Sequence, residues 1–233
     1  MRMRRKPNLA ARLERCSHIH VTDPSSLSGR WLDEFGFAEL RLELGCGKGR
    51  FTVESAKAEP SVLFVALEKS PNVMVAALEL AAAQGLKNVR FVDAYADDLL
   101  DFFAPGEVAR IYINFCDPWP GNRHAKRRLT CGRFLEIYSQ LLTPGGKLQF
   151  KTDNLPLFEF SLQEFERCGF VSPEVVRDLH ANGPVGIMTD YERRFVSQGL
   201  PIYQCVTGKV EVGDGGVRDA VVSGEEAGDG GAD

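Results

Sequence analysis

The hydrophobic positions of the chain alternate between short apolar runs and longer stretches with helical spacing. The apolar runs predict strands at residues 40–44, 62–67, 89–92, 109–115 and 147–150, with a late strand at 201–206. The helical spacing predicts helices at residues 51–58, 73–84, 133–142 and 157–168. Strands that alternate with helices are typical of a parallel α/β fold. We therefore predict one doubly wound, mostly parallel sheet.

Local signals mark where two of the helices begin. Ser70 suits an N-cap, and Pro71 suits the first turn of the helix that follows it. Thr130 is the predicted cap of the helix over residues 133–142. The segment Thr143–Gly146 predicts a turn into the next strand, because it contains a proline and two glycines.

The composition indicates one substantial domain with room for extensions. The chain has 233 residues, of which 44% are hydrophobic and 26% are charged, so it can bury a core. No run of about 18 apolar residues occurs, which argues against a membrane-spanning helix. The basic start leads into the polar residues 7–16 instead of an apolar signal core, so we expect a cytoplasmic protein and no secretion.

The cysteines favour reduced thiols over disulfides or a metal site. They form no C-x-x-C pair and no spacing typical of zinc ligands; their positions are Cys16, Cys46, Cys116, Cys131, Cys168 and Cys205. We therefore predict no metal and mostly buried thiols.

The net charge of −4 hides an uneven distribution. Residues 211–233 hold seven acids and one base, and the rest of the chain holds 27 bases and 25 acids, a net charge of +2. Residues 1–20 carry six bases and one acid, and residues 118–135 carry five bases and no acid. The acidity belongs to the tail, so the overall charge does not exclude a nucleic-acid partner.

These patterns divide the chain into three parts. Residues 1–20 form a predicted basic arm, and residues 21–210 form the α/β domain. Residues 211–233 contain seven glycines and no aromatic residue, so we predict a disordered acidic tail.

A glycine-rich turn follows the first predicted strand and indicates a cofactor site. Such a turn brings the backbone close to a ligand and offers it free N–H groups at the start of a helix. The spacing is Glu43-x-Gly45-x-Gly47-x-Gly49, which is typical of S-adenosylmethionine sites. A dinucleotide site would need a third glycine where Arg50 stands. A glycine turn kept for packing alone remains an alternative.

Glu68 adds to the S-adenosylmethionine interpretation. It ends the second predicted strand, where an acid can accept hydrogen bonds from ribose hydroxyls. NAD sites share this acid, so Glu68 does not separate the two cofactors.

A stiff loop at the end of the fourth predicted strand is a candidate active site. Asp117 lies there, and Pro118 and Pro120 restrict the backbone on both sides of Trp119. A basic run at 123–128 follows, which suits a phosphate-binding surface next to a stacked base. The alternatives are that Trp119 is a core anchor and that the bases form a solvated face.

The sequence around this loop resembles the tRNA (guanine-N7-)-methyltransferase family. The family's hallmark is an Asp-Pro-Trp-Pro loop followed by an Arg-His-x-Lys-Arg-Arg run. The resemblance covers roughly residues 1–206, and its motifs stand in the family's order: Met1–Pro7, Glu43–Gly49, Glu68, Asp117–Pro120, Arg123–Arg128, Lys151–Asp153, Thr189–Glu192 and Gly199–Tyr203. The resemblance implies a Rossmann-like fold of the class I S-adenosylmethionine-dependent methyltransferase type.

The resemblance also implies roles for individual residues. By the family's pattern, Glu43, Glu68 and Asp117 contact the cofactor, and Asp117 is also the expected catalytic residue. From this chain's own residues, Gly45 and Gly47 of the glycine turn are further expected cofactor contacts, and Tyr95 is the candidate to stack on the adenine. By the same pattern, contacts with the tRNA guanine are expected at Asp153, Thr189, Asp190, Tyr191 and Glu192. The basic run adds Arg123 and Lys126 as expected contacts with the tRNA phosphates. Without the resemblance, Thr189 and Glu192 fit a helix capping box, and Asp153 fits a turn or cap.

Two positions depart from the family. The family has a lysine four residues after the loop aspartate, and this chain has Gly121 there. The family also has an acid before an alanine next to the adenine, and this chain has Tyr95 before Ala96, with Asp93 and Asp97 nearby.

The expected reaction is transfer of the sulfonium methyl group to guanine N7 in the variable loop of tRNA, a target that rests on the resemblance alone. N7 already carries a free lone pair, so no general base is required. Three alternatives remain: a methyltransferase with another substrate, a catalytically silent RNA-binding protein, and an NAD-dependent oxidoreductase. The sequence carries no signal for an oligomeric state.

Overall fold

A seven-stranded sheet lies at the centre of the computed structural model, which describes residues 6–209. The predicted acidic tail at 211–233 and the first five residues of the predicted arm lie outside the described residues. The strands are β1 (Glu39–Leu44), β2 (Val62–Leu67), β3 (Val89–Val92), β4 (Val108–Asn114), β5 (Leu142–Thr152), β6 (Phe170–Val176) and β7 (Tyr203–Lys209). The helices are α1 (Leu9–Glu14), α2 (Trp31–Phe35), α3 (Arg50–Ala58), α4 (Pro71–Ala83), α5 (Leu99–Phe102), α6 (Gly132–Leu141), α7 (Leu155–Arg167) and α8 (Asp190–Val196).

The strand order is β3-β2-β1-β4-β5-β7-β6. The first five strands are parallel, and β7 runs antiparallel to both β5 and β6. This arrangement confirms the predicted mostly parallel, doubly wound sheet. From β1 the chain continues to β2 and β3 on one side of the sheet, and it then crosses to β4 and β5 on the other side. The connections that follow β1 and β4 therefore diverge, and they leave a crevice at the carboxyl ends of these two strands.

The core lies on both faces of the sheet. Alternate residues of β2 point to opposite faces: Leu63 and Val65 join one apolar cluster, and Phe64 joins the other. The first cluster is covered by α2, α5, α6 and α7, and the second by α3 and α4. β2 is buried along its whole length, as expected for a central parallel strand.

Residues 6–20 pack on the domain. Cys16 and Ile19 are buried in the second cluster, and the backbone of His20 pairs with Phe91 of β3. Arg12 donates two hydrogen bonds, of 2.7 and 2.6 Å, to the Glu79 carboxylate on α4. The packed part of the chain therefore begins before the predicted boundary at residue 20.

Two local predictions differ from the structure, the turn at residues 143–146 and the cap of α6. Residues 143–146 lie within β5, at an irregularity in its register with β4. Cys131 occupies the N-cap position of α6, where Thr130 was expected. The Thr130 hydroxyl is buried and accepts a hydrogen bond of 2.7 Å from Ser161 on α7, so it does not cap α6. The Glu164 carboxylate accepts a hydrogen bond from the first amide of α6, at Gly132.

β6 was not predicted, because Pro173 interrupts its apolar pattern. Proline lacks the N–H that a central strand needs, and it is tolerated at a sheet edge. β6 is indeed an edge strand. Across residues 6–209, no helix combines the length and apolar character needed to cross a membrane.

Candidate active site

Three of the predicted motifs meet at the carboxyl ends of neighbouring strands. The glycine turn follows β1, Glu68 follows β2, and Asp117 lies three residues after β4. Because β1 lies between β2 and β4, these segments surround one edge of the sheet. They line two adjoining clefts of about 640 and 400 Å³, here called the first and second cleft, which share Gly45 and Phe115.

The first cleft collects most of the predicted cofactor residues. Its lining includes Gly45, Glu68, Tyr95 and Asp117. Tyr95 is 60% exposed, so its ring is free to contact a ligand. Asp97 also lines the cleft and forms an ion pair with Arg133.

Glu68 connects two segments of the first cleft. One carboxylate oxygen accepts a hydrogen bond of 3.2 Å from the amide of Gly47, and the other accepts one of 3.0 Å from the amide of Ser70. Ser70 is at the N-cap position of α4 as predicted, but its side chain makes no capping hydrogen bond. Glu68 therefore fixes the glycine turn and the start of α4, and each of its oxygens retains a second lone pair for a ligand.

Gly49 explains why this turn tolerates Arg50. A Cβ atom at Gly49 would lie 2.4 Å from the Cβ of Ala77, so only glycine allows α4 to approach this closely. Gly45 and Gly47 also have positive φ angles, but no atom of the described residues lies within 4 Å of an added Cβ at either position. Gly49 thus serves packing, and the first two glycines leave space beside the clefts.

Glu43 lies at the bottom of the second cleft and is buried. Its carboxylate accepts hydrogen bonds from the Thr52 hydroxyl and from Asn114 Nδ2, the latter at 3.0 Å. Burial raises the pKa of the Glu43 carboxyl, and these hydrogen bonds and the Lys151 charge oppose that rise. The balance keeps a carboxyl group with a raised pKa beside the glycine turn.

Asn114 is a site residue that the sequence analysis missed. It ends β4, lines the second cleft and is 6% exposed. Its Nδ2 donates to Glu43, but its buried Oδ1 has no hydrogen-bond partner among residues 6–209. A buried acceptor without a partner is costly, so a donor from a ligand would stabilise it. Its place directly before the candidate loop was the available signal.

The loop after β4 is held in a bent shape. Phe115 and Trp119 have positive φ angles, of 54° and 43°. Arg128 donates to the carbonyl oxygens of Pro118 and Trp119, at 3.1 and 3.2 Å. The Arg127 guanidinium lies 4.9 Å from the centre of a Trp119 ring. These two arginines therefore support the loop itself.

The exposed residues of the basic run remain available to a partner. Arg123 and Lys126 are exposed on the short 3₁₀ segment Asn122–Arg127. Gly121, at the family's lysine position, has a φ of 86°, which side-chain-bearing residues rarely adopt. A different lysine lies beside the loop aspartate: Lys69 Nζ is 3.3 Å from Asp117 Oδ2. Both side chains are more than half exposed in the first cleft.

Three of the predicted tRNA-binding residues reach the second cleft. Thr189, Asp190 and Tyr191 line it at the start of α8. Asp190 forms an ion pair with Arg50, which joins α8 to the helix after the glycine turn. The Tyr191 ring lies 5.2 Å from the ring of Phe115.

Asp153 lies just outside the linings of both clefts. Its Oδ2 accepts a hydrogen bond of 3.3 Å from the Tyr191 hydroxyl. Burial, followed by the Asp153 charge, raises the pKa of Tyr191, which keeps that hydroxyl protonated as a donor.

Glu192 has a placement that differs from the predicted contact with guanine. Its side chain is fully buried and lines neither cleft. Thr189 and Glu192 form a complete capping box, the alternative that the spacing allowed. The Glu192 carboxylate also accepts hydrogen bonds from Lys151 and pairs with His180.

The described residues contain no cluster of His, Cys, Asp and Glu side chains that could hold a metal ion. All six cysteines are free thiols. Cys116, in the first cleft, is an unreactive thiol at neutral pH, because burial raises its pKa to about 12.

Comparisons with known proteins show which family the chain belongs to. A family model described as "Putative methyltransferase" matches residues 38–205. A tRNA (guanine-N(7)-)-methyltransferase of Geobacillus kaustophilus is 44% identical over 207 residues, which cover 88% of this chain and 95% of that protein. The chain belongs to the tRNA (guanine-N7-)-methyltransferase family. Another protein of this name, from Exiguobacterium sibiricum, is 45% identical over 88% of this chain and 97% of its own length.

Solved structures support the fold of this family member. The 16S rRNA methyltransferase KamB aligns with a TM-score of 0.59 at 17% identity, over 75% of this chain and 90% of that chain. A mutant 16S rRNA (adenine(1408)-N(1))-methyltransferase from Catenulisporales acidiphilia, solved with the cosubstrate SAM, also gives 0.59, at 16% identity over 78% and 93%. The tRNA (guanine-N7-)-methyltransferase family member therefore shares the methyltransferase fold.

Proposed function

We propose that this protein transfers the methyl group of S-adenosylmethionine to N7 of a guanine in the variable loop of tRNA. The observation that carries the proposal is the meeting of the glycine turn, Glu68 and Asp117 at one sheet edge, in a chain of this family. The relatives' names supply the tRNA and the guanine N7 atom.

The residues at the two clefts fit S-adenosylmethionine. Gly45 and Gly47 leave open space for a ligand. Glu68 retains acceptor capacity for ribose hydroxyls, and Tyr95 offers an exposed ring for the adenine. Asn114 Oδ1 is an unpaired buried acceptor, and it suits the positively charged amino group of the methionine part. When bound, S-adenosylmethionine supplies a methyl group on a positively charged sulfur.

Asp117 is the proposed catalytic residue. Its carboxylate lies at the mouth of the first cleft, close to the junction of the two clefts at Phe115. Positive charge moves to the purine ring as N7 is methylated, and a nearby carboxylate stabilises that charge. N7 needs no deprotonation, so Asp117 acts through charge and alignment and not as a base.

The rest of the site holds the tRNA. Tyr191, which stacks on Phe195 and lies at a tilt to Phe115, is a wall on which the target guanine can pack. Asp153 is placed to accept hydrogen bonds from guanine N1–H and N2–H once its contact with Tyr191 opens. Arg123 and Lys126 bind backbone phosphates, so the affinity for tRNA falls as salt rises. The folded tRNA is recognised by its shape and its exposed bases.

The test is a methyl-transfer assay with labelled S-adenosylmethionine and unmodified tRNA. We expect labelled 7-methylguanosine after nucleoside digestion. Asp117→Ala should lower the rate by about 10²-fold or more, as when an electrostatic group is removed from a transition state. The matched control is Asp101→Ala, since Asp101 is an exposed acid outside both clefts.

Two results would overturn the proposal. If the label appears on another atom or another class of substrate, the target is wrong. If no transfer occurs although calorimetry shows that S-adenosylmethionine binds, the protein is a silent RNA-binding member of the fold.

A further inference from the structure

We propose that Lys151, Glu192 and His180 form a buried positioning triad that sets the wall of the second cleft, and that Glu192 does not touch the guanine. The three side chains are 3%, 0% and 4% exposed. The inference rests on the proposed function for what the wall binds. The geometry of the triad can be tested without measuring methyl transfer.

The hydrogen bonds of Glu192 are all made within the protein. Oε1 accepts from Lys151 Nζ at 3.0 Å and pairs with His180 Nε2 at 2.9 Å. Oε2 accepts from Lys151 Nζ at 2.8 Å and from the backbone amide of Thr189 at 3.1 Å. A carboxylate offers about four lone-pair positions, so none remains for the N–H groups of guanine.

The hydrogen bonds of Lys151 are also complete. Besides its two bonds to Glu192, Nζ donates to the carbonyl oxygen of Ile187 at 3.3 Å. The ammonium group also lies 5.6 Å from the centre of the Phe51 ring. An ammonium has three protons, so Lys151 has no further donor for a ligand. Its charge is matched by the carboxylate of Glu192 in a buried place, where an unpaired charge would be very costly.

His180 connects the triad to the chain before α8. Its Nδ1 accepts a hydrogen bond of 3.1 Å from the amide of Val185, so that nitrogen carries no proton. Its Nε2 therefore carries the proton and donates it to Glu192. This single tautomer holds Val185 and Glu192 at the same time.

The triad joins the two walls of the second cleft. Lys151 is on β5 and faces Asn114 of β4 in the sheet register, and its carbonyl oxygen accepts a hydrogen bond from the amide of Phe115 at 2.9 Å. Through Glu192 it also holds α8, which presents Thr189 and Tyr191 to the cleft. The buried Lys151–Glu192 ion pair therefore ties the start of α8 to Phe115, in addition to the Arg50–Asp190 ion pair and the contact between the Phe115 and Tyr191 rings.

The experiment compares the KM for tRNA, kcat and the Kd for S-adenosylmethionine in four variants. Because a small displacement of a binding wall weakens productive binding strongly, His180→Ala and Glu192→Gln should raise the KM for tRNA about tenfold or more. The Kd for S-adenosylmethionine should rise as well, because the proposed contact of its methionine part with Asn114 lies in the same cleft. His180→Gln retains a donor near the position of Nε2 and should recover most of the loss. The matched control Glu159→Gln breaks the exposed ion pair between Glu159 and Arg177 and should change nothing.

Hydrogen exchange of the full-length protein without tRNA supplies the second measurement. The amides of Val185 and Thr189 should exchange at least tenfold faster in His180→Ala and Glu192→Gln than in the wild type. If Glu192→Gln abolishes transfer while these amides keep their protection, Glu192 contacts the guanine and the triad proposal is wrong. If Glu192→Gln does not fold, the two His180 variants decide the same question.

The two proposals fail separately. A wild-type protein that transfers no methyl group to tRNA contradicts the proposed function, whatever the exchange data show. Unchanged exchange of Val185 and Thr189 in every variant contradicts the triad, whatever the wild type methylates.

Discussion

At the residue scale, the buried polar groups around the clefts differ in whether the protein satisfies their hydrogen bonds. Glu192 and Lys151 have complete sets of partners. Asn114 has an acceptor, Oδ1, without a partner in the part of the chain that the structure describes. Groups that the protein satisfies support the structure, and a group that it leaves unsatisfied is a place where a ligand gains free energy. This contrast separates Glu192 from Asn114 although both are buried beside the second cleft.

We expect Glu43→Gln to raise the stability of the protein and to weaken its binding of S-adenosylmethionine. Burial raises the pKa of the Glu43 carboxyl, so the folded state holds its proton more tightly than the unfolded state does. The wild type therefore loses stability as the pH rises from the ordinary carboxyl range through this raised pKa. The neutral glutamine does not titrate, so we expect its stability advantage to be largest at and above neutral pH and smallest in acid.

Urea unfolding of the wild type and Glu43→Gln across a pH series measures this effect. The Kd for S-adenosylmethionine should weaken about tenfold, as for the loss of one charged hydrogen bond worth about 1.5 kcal/mol. Asp101→Asn is the control, because Asp101 is an exposed acid outside both clefts. A stability difference that grows as the pH falls would contradict the assigned cause.

At the element scale, the site depends on how closely the glycine turn packs against α4. Gly49 contacts Ala77 of α4, and Glu68 holds both the turn and the start of that helix. The backbone N–H groups of the turn are thus fixed relative to β2 before a ligand binds. This close approach is the packing role that the third glycine has in dinucleotide sites.

We expect Gly49→Ala to lower the free energy of unfolding by about 3 kcal/mol. The new Cβ would lie 2.4 Å from the Cβ of Ala77, and the φ of 78° is unfavourable for alanine. Overpacking and backbone strain each contribute about 1–3 kcal/mol in such positions. Urea denaturation provides the measurement.

Gly36→Ala separates the two causes. Gly36 has a similar φ of 72°, and no atom lies within 4 Å of its added Cβ, so only strain of about 1 kcal/mol should remain. In the double variant Gly49→Ala with Ala77→Gly, the loss in free energy of unfolding should be smaller than the sum of the losses in the two single variants. Equal losses in Gly49→Ala and Gly36→Ala would show that the contact with α4 is unimportant.

At the scale of the whole molecule, charge is divided between the domain and the acidic tail. Without residues 211–233 the chain has a net charge of +2, and a basic segment lies beside the first cleft. Basic residues attract a polyanion such as tRNA, and the acidic tail, which has the same sign of charge as tRNA, repels it.

Deletion of residues 211–233 should therefore leave methyl transfer intact and tighten tRNA binding. At low salt we expect about threefold higher affinity, and the difference should vanish as salt screens the charges. Binding measured over a salt series gives the effect. A full-length variant with the seven acids changed to amides should match the deletion if charge is the cause. Loss of methyl transfer on deletion would show that the tail belongs to the active machinery.

The sequence by itself determined the parallel α/β sheet, the positions of its first five strands and the motifs that follow them. Short apolar runs and glycine or proline boundaries are local signals, and the carboxyl ends of parallel strands meet at one edge. Only the tertiary structure decided the partners of the polar side chains. Asn114 and Glu192 form hydrogen bonds with residues far away in the chain, Glu43 and Lys151. Hydrogen bonds between such distant residues leave no periodic pattern in the sequence. Burial then sets their chemistry, because charge in the interior is tolerated only where the fold supplies a partner.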